Sequence, residues 1–410
     1  MSHPDRAGSR SAPGFVEFVA LIALMMGITA FSIDNLLPAF SEIQGHFALT
    51  NPNDVQMTVY AYLIGIGVGQ FFYGSWSDVV GRRPVLMVGL ALYLAGGVMA
   101  LLTDDFTWLI VARVIQGLGA GSPRVLAVAI VRDRFEGREM ARIMSLAMMV
   151  FLAVPILAPA LGSAILVFGN WRHIFMAMVG IAVLLGLWFG LRMPETLHPD
   201  YRMPFSLRAI FSGLKLTVTT RRSIGYSTAM GLMMGCLMSY VGSASQVFQT
   251  DVYKLGHLFP IVFAAVAGVM ALASLVNAML VRRIGMRRLS HGGICGFLLT
   301  SVLLVIAATS YDGHPPVVLF CILIGISQFL FALTVPNFNS MAMEPLGPVA
   351  GTASSFIGSY TTLIAAWLAL LSGRAFDGTV MPLSVTYLIL CSLALVAVLW
   401  SERWRLFAHA

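Results

Sequence analysis

The chain has 410 residues, 58% of them hydrophobic and only 10% charged, with a mean hydropathy of +0.86. Soluble domains carry about 25% charged residues, so this composition excludes both a soluble protein and a soluble enzyme on a single anchor. A net charge of +7 would suit nucleic acid, but the basic residues gather in alternate loops, which assigns them to one face of a membrane.

Apolar runs of spanning length lie at 15–40, 55–77, 84–102, 107–131, 140–168 and 172–193. After a polar stretch they resume at 223–248, 258–281, 291–309, 315–336, 351–372 and 382–401. The pattern predicts an all-α membrane protein with twelve transmembrane helices in two six-helix bundles, 1–193 and 223–410. Residues 194–222 form the linker, in which Phe205, Leu207, Ile210, Phe211 and Leu214 alternate with Arg208 and Lys215 as in an amphipathic interfacial helix.

The first run, Phe15 to Phe40, is too long for a signal h-region and reads as retained. It holds Asp34 well inside, followed by Asn35 and Pro38, whereas Glu17 sits at its mouth. An acid at membrane depth is costly and marks an ion or substrate path, or else a structural pair. Between spans two and three lies Gly74-Ser75-Trp76-Ser77-Asp78-Val79-Val80-Gly81-Arg82-Arg83-Pro84. Gly74 suits close helix approach and Gly81 a tight turn, while Asp78 can pair with Arg82 or with a helix N-terminus.

Span four carries Arg113 and Arg124, three helical turns apart on one face, with Gln116, Gly117 and Ala120 beside them. A buried arginine stays protonated and needs a partner. At 1.5 Å per residue Arg113 lies about 10 Å, and Asp34 about 9 Å, below the same face. The two are expected to meet, as a permanent ion pair or as a proton site in which burial favours the acid and Arg113 favours the carboxylate. Beyond span four, Asp133 faces the compartment of Arg82 and Arg83 and is a candidate bridge to them. Span five carries Pro155, Pro159 and Gly162, which bend a membrane helix and let neighbours approach.

In the second half, candidate cavity groups are Tyr240, Ser243, Gln246, Asn277, Gln328, Asn337 and Tyr360, joined from the first half by Asn35 and Gln116. Hydrogen bonding between helices is the competing reading for each. Met230, Met233 and Met234 suit promiscuous binding or lipid-facing filler. Cys236, Cys295, Cys321 and Cys391 all fall in apolar runs without paired spacing, so no metal or disulfide is indicated.

The 74–86 stretch resembles the GxxxD(R)xGRR signature of the major facilitator superfamily. Arg113 with Gln116-Gly117 resembles its embedded-arginine motif. Pro155, Pro159 and Gly162 resemble its antiporter signature, with Ala158 and Ser163 replacing two glycines. The Asp34-to-Ala39 run, Arg132-Asp133 with Arg142, and Trp171-Arg172 with Phe175 are similar to the proton-coupled drug antiporters of the Bcr/CflA type. The resemblance implies export of small amphipathic drugs or toxic metabolites driven by the proton gradient, with no cofactor. Asp34 and Arg113 would couple protons, and Gly74, Asp78, Gly81, Arg82, Arg83 and Asp133 would gate the cytoplasmic side. It also implies a monomer in a bacterial inner membrane, with both termini cytoplasmic and no nucleic-acid partner. A proton-linked importer of a small metabolite shares these features and stays open. A non-transporting sensor or scaffold lacks an appended soluble domain, and no HExxH, GxSxG or Walker-type loop supports an enzyme.

Overall fold

The computed structural model describes residues 13–198, 200, 202 and 207–407. Arg6, Arg10 and Phe205 lie outside them. Among the described residues, 12 helical segments are long and apolar enough to cross a membrane. The first six are built from α1 (Phe15–Asp34) with α2 (Phe40–His46), α3 (Met57–Val80), α4 (Arg82–Leu102), α5 (Phe106–Arg134), α6 (Gly137–Phe168) and α7 (Trp171–Arg192). A linker helix, α8 (Leu207–Thr219), leads to α9 (Arg221–Ala244), α10 (Phe259–Ile284), α11 (Met286–Ser310), α12 (Val317–Met343), α13 (Ala350–Arg374) and α14 (Met381–Ser401).

Successive spans alternate in direction, which gives the bundle two faces. The basic face holds the starts of α1, α4, α6, α9, α11 and α13; the far face holds their other ends. Neighbour relations in the first half recur six spans later. The pairs α3–α5, α4–α5, α1–α6 and α4–α7 reappear as α10–α12, α11–α12, α9–α13 and α11–α14. The halves meet along α3–α13 and α6–α10, which are exchanged by the same relation. This is the parallel-repeat plan of a two-bundle transporter.

Lipid offers no hydrophobic drive between helices, so they associate where small residues let backbones touch. A Cβ on Gly65 of α3 would run into the backbone of Val114, Gly117 and Leu118 on α5. The tight turns into α4 and α11 are made by Gly81 (φ +117°) and Gly285 (φ +81°), a backbone region L side chains avoid. α8 seats Gly213 against Thr352 of α13 and buries Thr217, leaving Arg208, Phe211, Lys215 and Leu216 exposed, as an interfacial helix requires. Met230 and Met233 are buried in the second bundle and do not face lipid as filler.

Candidate functional site in the interior of the bundle

The first span is longer than its apolar run and is broken. α1 ends at Asp34, a 3-10 turn spans Leu37–Ala39, and α2 continues to His46. Pro38, lacking an N–H, falls in that turn. The acid therefore stands at the end of a helix inside the protein, and its side chain is buried.

Asp34 and Arg113 do not pair. Arg113 is fully buried and donates from Nε to the Thr58 carbonyl (2.8 Å), from Nη1 to Gln116 Oε1 (2.6 Å) and from Nη2 to the Ser32 carbonyl (2.9 Å). The Tyr62 ring lies against its guanidinium, 4.3 Å from centroid to Cζ. The expected meeting fails for a geometric reason, although the depth estimate was sound. Ser32 turns its hydroxyl to Tyr93 of α4 (2.5 Å), and two residues on is 200° round the helix. Asp34 consequently lies on the other side of the helix from the contact that Ser32 makes, away from the Arg113 guanidinium. Among the described residues no hydrogen bond or ion pair holds its carboxyl.

Around this break the interior contains polar atoms without partners. Both amide atoms of Asn35, the Thr29 hydroxyl, the Ser227, Ser239 and Tyr240 hydroxyls and Gln328 Oε1 are buried and unbonded. They belong to α1 and its break, α9 and α12. A buried polar group without a partner costs about 1–3 kcal/mol, so these atoms are the interior groups left to bond water or a bound molecule. Asn35 packs directly on α6, since a Cβ on Gly162 would strike its backbone carbonyl and its Oδ1. That contact explains why the antiporter-like motif keeps a glycine at 162. Pro155 and Pro159 lie inside α6, which remains continuous through them.

The other cavity candidates divide. Tyr240 stacks on Phe263 of α10 (5.8 Å, 9°) and Gln328 donates to the Tyr387 hydroxyl (2.8 Å), both in the interior. Gln116 is not a cavity group: it is fully buried within the first half, taken up by Arg113 and Met178. Tyr360 bonds Thr228 (3.0 Å), and Asn337 donates to Asn277 (2.8 Å), so these are ties between helices of the second half. Ser243 returns its hydroxyl to its own helix.

Gln246 also leaves the cavity. It sits in a π-helical turn, Ser245–Thr250, at the far face and ties the halves together. Gln56 Nε2 donates to Gln246 Oε1, and Gln246 Nε2 donates to Asn53 Oδ1 (3.0 Å). Asn53 in turn donates to the Phe376 carbonyl (2.9 Å), and Gln249 to the Pro38 carbonyl (3.4 Å). The Tyr60 ring fills a notch formed by Gly242 and Gly373, and its hydroxyl donates to Gln56 (2.6 Å). Sequence reasoning missed this latch because Asn51-Pro52-Asn53-Asp54 reads simply as a loop.

At the basic face Arg82 is nearly buried and serves two acids, Asp78 (2.6 Å) and Asp133 (2.8 Å), as well as Ser77 (2.7 Å). Asp78 also approaches Gly351 in the first turn of α13, where a helix favours negative charge. Gly74 lies against Ser355 of the same helix. Among the described residues the Arg83 guanidinium forms no ion pair, and it donates to the Gly190 carbonyl (2.6 Å). The element missed from sequence is Glu195, whose carboxylate accepts from the Arg82 and Arg83 amides (2.9 and 3.1 Å) and so caps α4. In a charged linker nothing separates such a residue from a solvated one.

On the basic side the halves are less enclosed. In α10 the buried residues cluster at the far end, from Phe259 to Ala267, with only Ala273 beyond. On the basic half, Val128 of α5, Met148 to Val150 of α6, and Pro336, Asn339 and Ser340 of α12 are exposed. The α5–α6 and α10–α12 pairs are thus more loosely covered there than at the far face, which the amides tie together.

The Major Facilitator Superfamily model matches residues 22–369, nearly the whole chain. The chain belongs to that superfamily. A Bacillus subtilis protein named as the uncharacterized MFS-type transporter YdgK is 31% identical over 84% of this chain and 86% of its own. A bicyclomycin resistance protein homolog of Haemophilus influenzae is 27% identical over 90% and 92%. Multidrug resistance protein D of Escherichia coli is 27% identical over 93% and 96%. Among solved structures, the xylose transporter XylE of E. coli in a partially occluded inward-open conformation superposes with a TM-score of 0.73 at 15% identity, covering 97% of this chain and 99% of that one. The superfamily fold is thus the twelve-helix, two-bundle architecture described above, and its members are transporters.

Proposed function

We propose that this protein is a proton-coupled exporter of small amphipathic compounds, drugs or toxic metabolites among them, in a bacterial inner membrane. The observation that carries the reading is Asp34: an acid buried in the interior, at a helix break, and left unpaired by Arg113. Relatives named for bicyclomycin and multidrug resistance support cargo of that kind. Protonation removes the cost of a charge at membrane depth, so the acid couples the state of the path to the proton. Each elementary charge carried down the field contributes about 2.3 kcal/mol per 100 mV.

Basic residues cluster at the face of Arg82, Arg134, Arg192, Arg222 and Arg287, whereas the far face holds Arg172, Lys254 and Arg374. The positive-inside rule makes the basic face cytoplasmic. In this arrangement cargo enters from the cytoplasm beside α5 and α12, and a proton arriving after the far-face latch opens displaces it at Asp34. The chain acts as a monomer, one path per two-bundle unit.

The test is growth of exporter-deficient bacteria against a panel of toxic compounds, with wild type compared to Asp34→Asn, together with cargo-induced proton release from oriented vesicles. Protection by wild type alone supports the reading. Equal protection by both proteins overturns the assignment of Asp34. Flux toward the basic face would favour the importer.

A further inference from the structure

Arg124 is the second cation in the interior, and among the described residues it makes no hydrogen bond or ion pair. It sits on α5 eleven positions after Arg113, hence on the same face, about 16 Å nearer the basic face. Gly117, Ala120, Ala127 and Val131 on that face are buried, so it looks into the protein and not into lipid. Its own residue is partly exposed, and Val128 one turn on is exposed, so this part of the α5 face is less enclosed than the part around Arg113. Arg113, by contrast, is fully enclosed and has three hydrogen bonds.

Among the described residues Arg124 has no ion pair and no hydrogen bond. The described carboxylates are all engaged elsewhere or on other elements, and none forms an ion pair with it; the neutral Tyr62 phenol lies nearest in charge terms. The end of α5 at Arg134 is ten residues away, about 15 Å, which is more than an arginine side chain covers, so lipid headgroups at the surface do not neutralise it. A guanidinium held at membrane depth without a partner is costly unless an anion visits it, and its planar fork matches carboxylate and phosphonate oxygens in pairs.

We infer that Arg124 is a cargo-recognition residue and that the natural cargo is an amphipathic compound bearing an acidic oxyanion, engaged by Arg124 on entry from the basic face. The inference rests on the transport reading but makes a separate demand on it. The cargo carries its own negative charge to Arg124, while Asp34 deals with the proton.

The experiment uses the purified full chain in detergent and a panel of fluorescent aromatic carboxylates, each paired with its methyl ester. Binding is read by fluorescence anisotropy for wild type, Arg124→Gln and Arg124→Lys. The expected result is that at least one carboxylate binds wild type tenfold or more tightly than its ester. That preference vanishes in Arg124→Gln, largely returns in Arg124→Lys, and ester binding is unchanged throughout. The wild-type preference is read without any variant, so a misfolded Arg124→Gln does not shield the idea. If no carboxylate in the panel outbinds its ester, or if Arg124→Gln weakens acid and ester equally, the proposal is overturned. Proton-driven flux of the same compounds in vesicles separates the two claims. Carboxylate preference without flux leaves Arg124 standing and removes the transporter reading; flux without preference does the reverse.

Discussion

Replacing Gln246 by Leu tests the far-face latch with little change of volume. The variant loses the bond from Gln56 and those to Asn53 (3.0 Å) and the Pro52 carbonyl (3.4 Å). At about 1 kcal/mol each the state closed at the far face loses about 3 kcal/mol. In the open state Gln56 and Asn53 regain water, so the loss falls almost wholly on the closed state and its population relative to the open one drops roughly 150-fold. Spin labels on Asp104→Cys and Asp312→Cys, one on each half at that face, report the opening by double electron–electron resonance once the four native cysteines are replaced. A new, longer distance should dominate in Gln246→Leu, and Gln56→Leu should produce it too, with the double variant adding little. A distribution identical to wild type would refute the idea that these amides hold the face shut.

Asp34→Asn should fold and bind cargo yet lose proton-driven exchange, measured as cargo-induced proton release; retained coupling would relocate the proton site. Arg113→Leu strands the Ser32 and Thr58 carbonyls it now serves, and should lower stability by about 3 kcal/mol, read as an earlier melting transition in detergent. Gly162→Val drives a side chain into Asn35, costing about 1–3 kcal/mol and abolishing flux with expression retained; normal flux would mean that the α1–α6 contact at the break is dispensable. Arg82→Lys cannot reach Asp78, Asp133 and Ser77 together, so turnover should fall while equilibrium binding of cargo stays near wild type.

The fold was legible because lipid imposes one rule, that backbone groups be satisfied within each span, and hydropathy then marks every helix. The basic-face charge cluster was legible in part: Asp78, Gly81 and Arg82 lie in one short motif, while Asp133, after span four, could be assigned only to the same compartment. Rotation around a helix was harder. Depth put Asp34 and Arg113 at one level correctly, but only the break at Asp34 and the engagement of Ser32 decide which way the acid turns. Contacts between distant segments were illegible for a different reason: Asn53, Gln56 and Gln246 are ordinary loop-edge amides until the two halves bring them together. Glu195 likewise gains its role from the α4 N-terminus, more than a hundred positions earlier in the chain.

The two closures are made of unlike materials. The far face is sealed by uncharged amides and a tyrosine in a glycine notch, whereas the basic face, where the halves are less enclosed, carries Arg82 between two carboxylates of the first half. Parting the amides moves no net charge through the membrane field, so voltage has little grip on that door and must act through whatever occupies Asp34 and Arg124. Dissolved ions have little more purchase on the basic side, because Arg82 is nearly buried and salt screens buried pairs far less than exposed ones.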